Sequence, residues 1–141
     1  MKAGSIPEWL DDKTHALIEE TITMLVRRYP DVLLAIILFG SIARHDERPL
    51  DDPYASDVDM LAIFDTTDRL VEPYHDSFFA IIIDALALHL DAPREVNVMP
   101  VSRTMENWDE MFLDNVARDG IILYQRGPLP RVLADRSSVE A

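Results

Sequence analysis

The chain has 141 residues, 48% of them hydrophobic and 28% charged, a composition for one folded domain with a single core and not for a disordered segment. It has no cysteine, which excludes a disulfide framework, a thiolate metal site and a cysteine nucleophile. Its 26 acidic and 13 basic side chains give a formal net charge of −13, a field that repels phosphate backbones and argues against broad nucleic-acid binding.

In chain order, Pro7 suits the first position of a helix. Trp9, Leu10, Leu17, Ile18, Met24 and Leu25 follow at helical spacing. Acidic residues come early, Arg27 and Arg28 come late, and Pro30 ends the pattern. Val32 to Phe39 is a short, branched, continuous apolar run closed by Gly40, which predicts a buried strand. A short helix with its N-terminus at Ser41 is expected next. The loop ERPLDDPYAS follows, then a second strand, DVDMLAIF. RLVEPYHDSFFAIIIDALALHLD predicts a long helix with Pro73 in or near its first turn. Asp84 and His89 interrupt its apolar stretch, and no run reaches the roughly 20 residues of a membrane span.

EVNVMPV predicts a third strand, with Pro100 marking a strand end or a sheet edge. NWDEMFLDNVARDG predicts a helix stopped at Gly120, and IILYQ is extended. From RGPLPRV onward the chain reads as a loosely held tail. One domain is therefore expected over 1–126 and a tail over 127–141. The order helix, strand, strand, helix, strand, helix, strand predicts an α/β (α+β) fold, a small mixed sheet flanked by helices. The N-terminal MKAGSIPEWLDD lacks the apolar stretch of a secretory signal, so a cytoplasmic protein is expected.

The chemistry concentrates between Leu38 and Phe64. Gly40 after a buried strand permits a tight turn and close approach to a ligand. Ser41 at a helix start can cap it, and the same helix end offers free N–H groups to phosphate. Asp57 and Asp59, two residues apart in a strand, point to one face. Paired carboxylates repel unless a cation joins them, and Mg²⁺ with its remaining positions on phosphate oxygens would satisfy both. Singly, each half is weak: most Gly-Ser pairs are only turns, and an acidic loop running into a strand also yields D-x-D.

Together, Gly40, Ser41, Arg44, Ser56, Asp57, Val58 and Asp59 resemble the motif set of the DNA polymerase β-like nucleotidyltransferase superfamily. The match is closest to its minimal nucleotidyltransferase (MNT-type) family. The resemblance spans about residues 15–125, and FLDNVARDGIILY is similar to the end of such proteins. It implies a polymerase β-like nucleotidyltransferase fold. It also implies transfer of a nucleoside monophosphate, AMP from ATP or its equivalent from another NTP, to a hydroxyl, with pyrophosphate leaving. Ser41 and the backbone after Gly40 would hold the β- and γ-phosphates, Arg44 would add positive charge, and Ser56 would join the nucleotide-binding set. Asp57 and Asp59 would bind Mg²⁺ as catalytic carboxylates.

Two features depart from the family pattern. RPLDDPY lengthens the spacer, giving an insertion over Arg48–Ala55 that could be a lid, a specificity loop or no more than a tolerated insertion. Asn97 stands where a third carboxylate is expected. Asn97 can hydrogen-bond but cannot act as a general base, and Glu95, two residues earlier on the same strand face, is the substitute candidate.

The resemblance further implies an antitoxin of a toxin–antitoxin pair, with a HEPN-type toxin protein as acceptor. An acidic surface suits a basic protein partner, and a homodimer is compatible with the sequence. The alternative class is a weakly active or inactive binding module that neutralises its partner by contact, its nucleotide site degraded at Asn97. His15, His45, His75 and His89 show no metal-site spacing, and DDPYASDVD lacks the central glycine of an EF-hand.

Overall fold

Strand β2 (Leu33–Phe39) is the axis of the molecule. Its sequence LLAIILF has no polar residue, so both of its faces must be covered, and every residue but Phe39 is buried. In the computed structural model, which describes residues 1–65, 91–103 and 109–139, β2 lies in the middle of a five-stranded mixed sheet. Antiparallel neighbours flank it: β3 (Val58–Phe64) on one side and β5 (Ile121–Gln125) on the other. β4 (Val96–Ser102) runs parallel to β3, and a two-residue strand, β1 (Lys2–Ala3), runs parallel to β5. The order is β1-β5-β2-β3-β4, so Pro100 lies on an edge strand of the described sheet, where a missing N–H is tolerated.

The period-2 alternation of β2 and β3 divides the core into two layers. Ile36, Leu38, Met60, Ala62 and Phe64 pack with Leu17, Ile18 and Leu25 of α1 (Asp12–Arg28). Ala35, Ile37, Leu61 and Ile63 pack with Leu113 and Val116 of α3 (Glu110–Asp119) and with Leu133. Helices therefore cover both faces, whereas the element pattern leaves open whether they cover one or both.

Several boundaries differ from the sequence reading. α1 starts at Asp12, not at Pro7, because Asp11 is a better cap: its carboxylate accepts from the Thr14 amide at 2.9 Å and from the Thr14 hydroxyl at 2.8 Å. The short helix α2 (Gly40–Arg44) begins at Gly40 with Phe39 as its cap residue and no side-chain cap. Ser41 thus lies inside the first turn and does not cap it.

Gly120 does stop α3, but with extended backbone. What requires glycine there is space: a Cβ would sit 2.5 Å from the Val116 carbonyl oxygen and 2.8 Å from Ile37 Cγ2. The segment expected as a loose tail contains α4 (Arg131–Val139). Leu133 fills the layer beneath α3, and Arg136 Nε bonds Asp114 Oδ1 at 2.8 Å. The long helix expected over RLVEPYHDSFFAIIIDALALHLD lies outside the described residues apart from Asp91.

Candidate functional site

The site forms where β2 ends and β3 begins. The ladder pairs Phe39 with Asp59 and Asp59 with Asn97, so the glycine after Phe39, the second aspartate and the asparagine share one end of the sheet. Gly40 has φ +78°, a region that L side chains avoid. A Cβ on it would stand 2.7 Å from Asp59 Oδ2. Both the turn and the contact with the carboxylate therefore require glycine.

Asp57 and Asp59 are both partly exposed. One amide serves both: Asn97 Nδ2 donates to Asp59 Oδ1 at 3.2 Å and to Asp57 Oδ2 at 3.3 Å. Burial, the largest influence, raises the pKa of Asp59 above the usual carboxylate value. The Asn97 amide opposes the rise, the charge of Asp57 adds to it, Arg44 opposes it and Glu95 adds to it. Glu95 itself is exposed, and its carbonyl accepts the Val58 amide at 2.9 Å where the two parallel strands meet.

Among the described residues no group of three or more His, Cys, Asp or Glu side chains is placed to hold a metal ion. Among the described residues the two aspartates are oxygen donors that share one amide hydrogen-bond donor, and this is a set that fits a hard cation. Mg²⁺ commonly uses one or two carboxylates and takes its other ligands from phosphate and water. A cation between Asp57 and Asp59 would occupy the space toward which the Asn97 amide now points, and the amide could turn its oxygen inward.

The remaining expected residues fall in two groups. Ser41 is partly exposed in the first turn of α2, and its carbonyl accepts the Asp46 amide at 3.0 Å. Arg44 lies at the end of the same helix with Nε 3.2 Å from Asp46 Oδ2, and its charge still reaches Asp59. Ser56 lies apart from this group: it is buried, and its hydroxyl accepts the Arg48 amide at 2.7 Å. It closes the base of the inserted loop. Within that loop Asp52 Oδ1 accepts the Tyr54 amide at 2.7 Å, and Arg48 Nε donates to the Tyr54 carbonyl. The insertion is an ordered turn with Tyr54 77% exposed at its tip.

Sequence reasoning missed Arg94. Its side chain is 2% exposed, a costly place for a cation unless its donors are used. Nε donates to Thr14 Oγ1 at 2.8 Å, and Nη1 donates to the carbonyls of Arg48 at 2.7 Å and Ser56 at 2.8 Å. Nη2 lies 3.7 Å from Asp11 Oδ1. Arg94 therefore joins the start of α1, both ends of the inserted loop and the residue before Asp57. Burial pushes Asp11 up, but the Thr14 hydrogen bonds and the Arg94 charge outweigh it and hold that carboxyl below its usual value. An arginine beside a proline at a strand mouth was the available signal, and nothing local revealed its partners.

No family model and no curated protein matches the sequence. Solved structures do match the fold. A chain of a toxin–antitoxin complex with AMP-PNP aligns over 86% of this chain and 85% of its own, at 18% identity and a TM-score of 0.55. A complex of the tri-AMPylated Shewanella oneidensis HEPN toxin with MNT antitoxin aligns over 89% and 83%, at 16% identity and 0.53. A Sulfolobus solfataricus protein provisionally assigned as a nucleotidyltransferase aligns over 85% and 94%, at 15% identity and 0.50. Likeness at this level is likeness of fold, and the fold of this chain is the nucleotidyltransferase fold that the resemblance of its Gly-Ser turn and D-x-D strand implied.

Proposed function

We propose that the protein is a Mg²⁺-dependent nucleotidyltransferase of the minimal group that moves AMP from ATP to a hydroxyl of a protein acceptor. The acceptor we assign is a HEPN-type toxin, which makes this chain its antitoxin. The observation that carries the reading is the close approach of the Gly40 turn to the Asp59 carboxylate, which brings the backbone at the start of α2 beside the paired acids. The fold shared with structures named for AMP-PNP and for an AMPylated toxin supports the choice of nucleotide and acceptor.

In this reading Ser41 and the amides after Gly40 hold the β- and γ-phosphates, with Arg44 adding positive charge. Asp57 and Asp59 hold the metal. A bound Mg²⁺ supplies charge neutralisation for the triphosphate and its leaving group. The acceptor oxygen bonds to the α-phosphorus, the bond from that phosphorus to the oxygen bridging it to the β-phosphate breaks, and pyrophosphate leaves with the electron pair. Asn97 carries no basic lone pair on its amide nitrogen, so the hydroxyl proton passes to Glu95 or to water. Ser56 acts from behind, through the loop it closes.

The test is a radiolabelled-ATP transfer assay with the neighbouring-gene protein as acceptor. General-base assistance is worth about 10²–10⁴-fold in rate, so wild type should be slow, Asn97→Asp faster and Glu95→Gln slower still. Mg²⁺-dependent ATP binding of equal strength in wild type and Asp57→Asn/Asp59→Asn would sink the assignment. One observation favours a second reading, a contact-only module: the Asn97 amide already holds the two carboxylates together. Tight partner binding with no transfer by any variant would select it.

A further inference from the structure

We infer a second binding site, for a small phosphate-bearing anion, at the opposite end of the sheet from Asp57 and Asp59. The inference does not depend on the proposed transferase reaction. A cavity of about 550 Å³ opens beside Leu34 of β2 and the residues that follow β3, β4 and β5, walled by the strap Gly127–Pro130. Among the described residues its charged lining is Arg103, Arg126 and Arg131 against the single carboxylate Asp65. In a chain with 26 acidic and 13 basic side chains, that balance is the reverse of what a random patch of surface would carry.

The arginines are held in place. Arg103 Nη1 lies 2.9 Å from Asp65 Oδ1, and Arg126 Nη2 lies 3.6 Å from Asp65 Oδ2. Arg126 is anchored again by Nε on the Leu33 carbonyl at 3.0 Å, and its amide bonds the Leu34 carbonyl at 2.7 Å. Gln125 Nε2 fixes the strap through the Gly127 carbonyl at 2.8 Å. Two guanidinium forks thus already converge on one internal oxyanion, and the Arg131 charge stands at the rim.

Guanidinium groups match the oxygens of phosphate in paired hydrogen bonds. Asp65 neutralises one of the three positive charges, so a compact, multiply charged anion meets the remaining two better than a single carboxylate does. The volume lies within the range of small-ligand sites. Six residue steps along β3 and its extension separate Asp59 from Asp65, about 20 Å at ~3.3 Å per residue, so a ligand here would not touch the paired aspartates.

The experiment is calorimetry on the full chain in EDTA, titrating inorganic pyrophosphate and, separately, AMP. At least one of the two should bind wild type and Asp57→Asn/Asp59→Asn equally. The affinity should fall about 10-fold or more in Arg131→Ala and in Arg103→Ala, as expected for losing one charge-assisted hydrogen bond, and less in Arg131→Lys. Both arginines are exposed, and melting curves check that the variants fold. Binding of pyrophosphate alone identifies a compact phosphate site, and binding of both admits nucleotides. Three results would overturn the site: neither anion binding at millimolar concentration, binding that survives both alanine substitutions, or binding lost in the aspartate double variant.

Discussion

The two ends of β3 carry the same side chain in opposite company. At the C-terminal end Asp65 sits between Arg103 and Arg126, a carboxylate whose charge is matched on the spot. At the N-terminal end, among the described residues, Asp57 and Asp59 share the neutral amide of Asn97, and Arg44, whose charge reaches Asp59, is also paired with Asp46 at 3.2 Å and with Asp119 at 3.9 Å. At the Asp65 end the carboxylate is satisfied within the protein, and what is left over is positive charge, which has no use for a cation. Unmatched, half-buried charge makes a site, because a cation can supply what the protein withholds.

The largest expected effect comes from removing the unmatched charge altogether. Asp57→Asn/Asp59→Asn should abolish Mg²⁺-dependent ATP binding in calorimetry and lower AMP transfer by at least about 10²–10³-fold, the scale for losing a main electrostatic group in a reaction of this kind. Asp65→Asn should leave both unchanged. If it does not, the two ends of the strand are coupled and the contrast fails.

Gly40→Val tests the other half of the site. Its Cβ would meet Asp59 Oδ2 at 2.7 Å at a φ of +78°. ATP binding should be lost, while stability falls by about 1–3 kcal/mol. Normal ATP binding by this variant would show that the turn is not the phosphate cradle.

Arg94 and Arg103 contrast a buried cation with an exposed one. Arg94→Met removes a donor from each of the Arg48 and Ser56 carbonyls and the Thr14 hydroxyl, and should cost about 3 kcal/mol in denaturant unfolding. The loop over residues 48–56 should also become more susceptible to limited proteolysis. Arg103→Met breaks an exposed pair and should cost about 1 kcal/mol or less. Equal losses would mean that the Arg94 hydrogen bonds contribute no more than a surface pair.

The smallest effect is a pH dependence. The folded pKa of Asp59 is raised from 3.8, so as pH climbs from there the unfolded chain gives up this proton first. Stability contributed by the protonated form is present at low pH and is lost as pH rises through the folded value. Without metal, Asp59→Asn should therefore melt higher than wild type at neutral pH, with the gap closing toward pH 3.8. Mg²⁺ should raise the melting temperature of wild type but not of the variant. A gap that widens on acidification would show that Asp59 is stabilised, not strained, by its surroundings.

Much of this was legible in the sequence, because the features that carry it are local. LLAIILF, short and rich in branched residues, reads as a covered strand rather than a helix, a glycine at its end permits the turn, and an i, i+2 pair of aspartates in a strand shares one face. The family resemblance, not periodicity, sets Asn97 beside the aspartates, and the ladder pairs it with Asp59.

Tertiary structure decided what depends on distant partners. The Arg94 bonds join residues 80, 46 and 38 positions apart, and no window along the chain shows that a cation there will be buried. α4 was hidden because its helix is held by Leu133 reaching a core layer built from β2, β3 and α3, whereas its own sequence has only a weak apolar stripe. β1, two residues long, exists only because β5 offers it an edge. The arginine-lined cavity arises where residues from four strand ends and a proline-bearing strap converge. Local periodicity fixes which way a side chain points; only the packing of elements fixes what it meets there.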